Sequence, residues 1–204
     1  MRTVDPAKHA AKRRAIVDAA AGCFAGKGFE RTTTADICRA AGISSGSLFH
    51  YFPNKRAVFT AIFTDDATET AARLETAAEA GDPLAALLDV VAELAGQVAQ
   101  PGVVRIVLEA AAQAARDEEF AQLIHRNDAA LRDGLAVLVQ RAVDAGSIDP
   151  GVAPRAAAGW VAGLVDAMIS RASLDPGLDL AAEQAILRTI LIRFLRPVAL
   201  PDGG

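Results

Sequence analysis

Residues 33–55 read TTADICRAAGISSGSLFHYFPNK, and this run decides the fold. Thr33 stands three residues before Asp36, the spacing at which a hydroxyl and a carboxylate cap a helix start reciprocally. Gly42 supplies the left-handed position that closes that helix about two turns later. The chain then turns through Gly42-Ile43-Ser44. A second helix is predicted from Ser45 to Phe52, Pro53 stops it, and Asn54 caps a third that starts at Lys55. Two short helices joined by a three-residue turn predict a helix-turn-helix over 33–52, a unit that lays its second helix in a groove of DNA.

Working outward, apolar residues recur at helical spacing and no segment alternates with period two, which predicts an all-α chain. A first helix from Pro6 to Gly26 carries Ile16, Ala20, Cys23 and Phe24 on one face, suited to pack on Ile37, Ala41 and Leu48. A long fourth helix runs from Lys55 to Ala80. Asp82-Pro83 opens a fifth that ends before Pro101-Gly102, with Asp as cap and Pro at the first position. Val103–Arg116 and Glu119–Ala145 follow as the sixth and seventh. Asp149-Pro150-Gly151 is a turn, Pro154 starts an eighth helix reaching Ser173, and Asp175-Pro176-Gly177 is a second turn. A ninth, Asp179–Arg196, is ended by Pro197. The expectation is nine helices: an N-terminal DNA-binding domain over 10–70 and a second helical domain over 71–204, the boundary falling inside the fourth helix.

Composition agrees with close helix packing: 52% of the 204 residues are hydrophobic and only 5% aromatic. The formal charge of −4 would argue against a nucleic-acid partner, but it is unevenly placed. Residues 1–60 hold ten Lys/Arg against four Asp/Glu, and residues 61–204 hold eleven against twenty-one. A basic head attracts phosphates while an acidic body keeps away from them.

Other chemistries leave no mark. Cys23 and Cys38 have no metal-like spacing and read as small buried residues in a reducing cytosol; nothing supports a redox switch. His9, His50 and His125 do not cluster in sequence, and no H-E-x-x-H or G-x-S-x-G occurs. Gly22-x-x-x-Gly26-Lys27 is one residue short of a phosphate loop and has Gly28 where Ser or Thr is needed. No enzyme activity, metal or cofactor is expected. The N-terminus MRTVDPAKHAAKRR lacks a secretory signal, and the longest apolar run, Ala156–Val165, is too short for a bilayer, so a cytoplasmic, nucleoid-associated protein is expected.

The first third of the chain resembles the DNA-binding domain of the TetR family of bacterial transcription regulators. Ile16, Ala19, Ala20, Phe24, Gly28, Phe29, Thr33 and Thr34 carry the likeness. So do Ile37, Ala41, Gly42, Ser44, Gly46, Leu48, Phe49, Tyr51, Phe52, Asn54 and Lys55. The pattern G-I-S-x-G-x-L-x-x-Y-F followed by N-K is the specific part. Beyond it the chain is similar in helical plan, with a looser likeness to the BetI-like C-terminal class around LEAAAQAARDEEF and LVDAM…LDPGLD. The resemblance implies a homodimeric, ligand-responsive regulator, a repressor released from a palindromic operator by a small molecule. Activation, or an architectural DNA-binding role without an effector, is the alternative.

Roles follow by position. Ser45, Ser47, His50 and Tyr51 are the base-edge candidates on the second helix, with Gly46 allowing close backbone approach; His50 either reaches the groove or stays on the helix surface. Thr33, Thr34, Ser44, Tyr51 and Lys55 are candidates for phosphates, and Lys12, Arg13 and Arg14 either add to them or form a solvated face. Leu48, Phe49 and Phe52 read as core.

In the eighth helix, Gly159-x-x-x-Gly163 with Ala156, Ala162 and Ala167 permits close approach of another helix. The ninth adds Leu187, Ile190, Leu191 and Phe194. By resemblance these two helices pair with their mates in a dimer, although they could instead only close the monomer's core. Asp89/Glu93/Gln97 and Arg105/Glu109/Gln113 form polar stripes on apolar helices. If they face inward, they are the polar groups of an effector cavity walled by Phe63, Leu88, Phe120, Trp160 and Met168, fit for a small, largely apolar molecule. If they face outward, they are solvated edges. Asp166, within the most apolar helix, calls for a partner such as Arg105 or Arg171.

Overall fold

The computed structural model describes residues 5–196. Within them lie nine helices: α1 (Pro6–Lys27), α2 (Thr34–Ala41), α3 (Ser45–Tyr51), α4 (Lys55–Ala78), α5 (Pro83–Gln97), α6 (Val103–Ala114), α7 (Glu118–Asp144), α8 (Pro154–Leu174) and α9 (Leu180–Leu195). The expected Pro197 stop lies outside the described residues. Local chemistry sets the starts. The Asp5 carboxylate accepts from the Ala7 and Lys8 amides at 3.1 and 3.4 Å ahead of Pro6, and Asp82 accepts from Ala85 at 3.0 Å ahead of Pro83. The predicted turns close as Asx turns, with Asp149 and Asp175 accepting from the Gly151 and Gly177 amides at 3.0 Å each.

The chain divides into two compact units, and a contiguous division at residue 70 does not describe them. One unit runs up to Asp66 and also takes in Arg105–Ile124; the other holds Ala67–Val104 and the chain from His125 onward. The first break falls inside α4, and α6 with the start of α7 returns to the N-terminal unit. The physical reason for that return is apolar: Ile106, Ala110 and Phe120 are buried in the same core as Ile16, Phe24, Ile37, Leu48 and Phe59. Phe59 is the hub of that core, with ring centroids 5.0 Å from Phe24, 5.2 Å from Phe63 and 5.1 Å from Phe120. At the surface, Arg56 on α4 donates to Asp117 at 2.6 Å and to Glu119 at 3.0 Å. Asp117 in turn accepts from the Phe120 amide at 3.1 Å, so it ties Arg56 to the α7 start.

The second unit has its own core of Leu74, Leu87, Leu88, Val91, Leu135, Leu138, Val161, Met168, Leu187, Leu191 and Leu195. Gly134 of α7 brings that helix close to α4: a methyl group there would sit 2.6 Å from Leu74 Cδ1. The Arg141 guanidinium donates to the carbonyls of Ala78 and Ala80, satisfying the end of α4. Asp166 has no ion pair among the described residues, neither of the expected arginines reaching it. Partial burial, and then the charge of Asp128, push its carboxyl above the ordinary carboxylate range. No helix among the described residues is long and apolar enough to cross a membrane.

Candidate nucleic-acid interface

The helix-turn-helix forms as its caps dictate. Thr33 Oγ1 accepts from the Asp36 amide at 3.1 Å, and Asp36 Oδ2 accepts from the Thr33 amide at 3.0 Å and from its hydroxyl at 2.8 Å. The Lys27 ammonium donates to the other Asp36 oxygen at 2.7 Å. Lys27 and then Thr33 hold the Asp36 carboxyl far below its ordinary range. Gly42 takes the left-handed conformation at φ 64° and ψ 37° that ends α2. Ser44 Oγ accepts from the Ser47 amide at 3.2 Å, starting α3 one residue after the turn.

Burial then sorts α3 by face. Leu48 is 1% exposed and the following Phe52 4%, anchoring the helix in the core, while Ser45, Gly46 and His50 are exposed and Ser47 and Tyr51 half-buried. Phe49, expected in the core, is 51% exposed because the seven-residue helix turns it to the open side. α1 braces this face. The Arg13 guanidinium lies 5.3 Å from the Phe52 ring centroid and its Nη1 is 2.6 Å from Asp65, so Arg13 is structural rather than one of a freely solvated basic set. His9 packs against Tyr51 with the rings tilted at 36° and centroids 4.6 Å apart, and it meets His50 edge-on at 5.9 Å. Sequence separation hid His9; only its place in the first turn of α1 brings it to α3.

Two expected phosphate donors are already engaged. Lys55 Nζ donates to the carbonyls of Phe29 and Glu30 at 2.7 and 3.3 Å and sits 4.3 Å from the Phe29 ring centroid, so it pins the loop after α1. Thr33 uses both hydroxyl and amide on Asp36. Thr34, Ser44 and Tyr51 remain at the same surface with no such commitment of their hydroxyl protons.

The expected effector residues are dispersed. Phe63 and Phe120 are packed around Phe59 in the first unit, where Gln113, 7% exposed, donates to Glu109 at 3.1 Å and Arg105 is exposed. In the second unit Leu88 and Met168 are buried core residues, and Trp160, expected as a wall, is 68% exposed. Of the other stripe, Asp89 and Glu93 line an open groove of about 560 Å³ between α4 and α5, with Arg73 Nε 3.4 Å from Glu93. A narrower slot of about 260 Å³ lies between α5 and α9, and Leu88 forms part of its floor.

The expected dimer residues also separate. Leu187 and Leu191 are buried in their own protomer's core, on the face of α9 turned to α5. Phe194 packs partly against the same core. Gly163, Ala167 and Ile190 are exposed, and Gly159 partly so. A methyl added at either glycine would meet nothing within 4 Å. With Trp160 and Ile186, also exposed, they leave α8 and α9 an uncovered apolar face.

Residues 16–62 match bacterial regulatory proteins of the tetR family, and residues 83–196 match the C-terminal region of BetI-type transcriptional repressors. The chain is 41% identical over 63 residues to the HTH-type transcriptional repressor Rv1474c of Mycobacterium tuberculosis, covering 31% of this chain but only 34% of that one. It is 28% identical over 159 residues to the repressor AcnR of Corynebacterium efficiens, covering 78% and 80% of the two. Among solved structures, the fatty acid degradation regulator FadR from Bacillus halodurans superposes with a TM-score of 0.77 at 22% identity, over 92% of this chain and 97% of that one. SmeT, the repressor of the Stenotrophomonas maltophilia multidrug efflux pump SmeDEF, gives 0.71 at 24%, over 94% and 91%. The N-terminal match covers the helix-turn-helix and the C-terminal match covers more than half the chain, so this chain belongs to the TetR family of bacterial regulatory proteins, as a DNA-binding transcriptional regulator with a BetI-type repressor body.

Proposed function

We propose that two copies of this chain bind a short inverted repeat in chromosomal DNA and repress transcription from it, and that a small, largely apolar molecule releases them. The protein acts by binding and not by catalysis. The observation that carries this reading is α3: Leu48 and Phe52 hold it from beneath, while Ser45, Gly46, Ser47, Phe49 and His50 stand on its open side. Ser45, Ser47, His50 and Tyr51 are assigned to base edges, with Phe49 added as an apolar surface for a thymine methyl. Thr34 at the α2 start, Ser44 and Tyr51 are assigned to phosphates. Serine hydroxyls discriminate weakly among bases, so a single α3 reads too little sequence for a useful operator. A two-fold pair reading half-sites about one helical turn apart supplies the rest. The uncovered face with Trp160, Gly163, Ala167, Ile186 and Ile190 is assigned to that pairing.

The test is selection of genomic fragments on the purified protein, followed by affinity measurement on the recovered site. A specific site with two-fold symmetry is expected. Replacing Ser47 and Tyr51 with Ala should weaken specific binding by roughly tenfold or more, and binding to random DNA only by the lost Tyr51 phosphate contact. Raising salt from 50 to 200 mM should lower affinity by roughly a thousandfold if about six phosphates are neutralised. Uniformly weak binding to all fragments would instead indicate an architectural protein.

A further inference from the structure

We propose that the slot between α5 and α9 binds a small monocarboxylate with an unbranched apolar tail, and that this molecule is the effector. This rests on the reading of the chain as an effector-controlled regulator. The floor of the slot is apolar and fixed: Leu88, Val91, Leu187 and Leu191 are all buried, and their side chains belong to the core of the unit. Its walls are small, so the space is left open by alanines instead of being closed by larger side chains. The rim carries two polar groups on one face of α9, Gln184 and Arg188, separated by one helical turn.

Neither rim group is used by the protein. Among the described residues Arg188 forms no ion pair, and neither it nor Gln184 makes a side-chain hydrogen bond. The Gln184 amide reaches across toward α5, its nitrogen 3.8 Å from where a methyl on Gly96 would stand. A guanidinium and an amide donor one helical turn apart at the rim of an apolar slot match a carboxylate head, which accepts two hydrogen bonds in one plane, above a hydrocarbon tail. A single positive side chain at the rim suits a single negative charge. The size suits a small molecule: about 260 Å³ lies just below the range of pockets that hold drug-sized ligands. Ile186 and Ile190, on the face assigned to the partner copy, are not part of the lining, so pairing leaves the slot free.

The experiment is titration calorimetry on the full chain without DNA, using octanoate and octan-1-ol as probes. Octanoate is expected to bind, and octan-1-ol roughly tenfold more weakly because it offers no charge to Arg188. Arg188→Gln, at an exposed position that leaves the core intact, should weaken octanoate about tenfold and leave octan-1-ol unchanged. Ala185→Trp should fill the slot and remove both. Equal binding of the two probes, undiminished octanoate binding by Arg188→Gln, or no octanoate binding by the wild-type chain overturns the site. In a second arm octanoate is added to the operator complex. Release of the wild type but not of Arg188→Gln supports the effector role, and binding without release overturns that role. The calorimetry uses no DNA, so a chain with no operator fails the regulator reading alone.

Discussion

Asp36 joins three residues through one carboxylate: it caps α2 on Thr33, receives Lys27 from the end of α1, and lies 3.2 Å from Arg39. Its folded pKa is lowered, so the stability it contributes is present above its unfolded value, near 4, and is lost as pH falls below that. Thermal melts of the wild type should therefore lose midpoint steadily below about pH 4, and Asp36→Asn should flatten that acid limb while lowering the midpoint at pH 7. An unchanged acid limb in the variant would remove Asp36 from the account. The capping box was legible because its partners lie three residues apart. Lys27 and the Lys55 tether were not, because each joins loops and helix ends that only tertiary packing brings together. Phe49 was misassigned for a related reason: over seven residues, helical spacing leaves the boundary between core and open face undetermined.

Among elements, α7 comes close to α4 at Gly134, the described glycine with the least room for a side chain. Gly134→Val would drive branched carbons into Leu74, whose Cγ and Cβ are already 3.2 and 3.3 Å from the first added atom. The expected cost is about 1–3 kcal/mol, read as a fall in the urea midpoint with unchanged slope. A midpoint equal to the wild type would show that Leu74 yields freely. The nine helices were legible from caps, prolines and apolar spacing, because each of those signals is local. Helix ends differed by a few residues, as at α5, where Val98 already leaves the regular ladder. What spacing does not give is the neighbour each face meets. Leu187 and Leu191 share the helical stripe with Ile190, yet the first two turn to α5 and the third to the surface.

For the whole molecule, the expected pairing through α8 and α9 predicts that Ile190→Glu, an exposed position, yields a folded monomer. Its helical signal should be retained, its mass in sedimentation should halve, and its operator affinity should fall by more than a hundredfold, because a second half-site is lost. A dimer of undiminished stability would send the interface elsewhere.

The burial of Ile106, Ala110 and Phe120 with Phe59 and Leu48 also bears on modularity. A reading head cut out at residue 70 would lose the apolar cover over Phe59, leaving an aromatic surface open to water. Transplanting this DNA specificity onto another regulator therefore means moving a discontinuous piece, Arg105–Ile124 along with the head, or choosing a recipient that supplies equivalent apolar groups of its own.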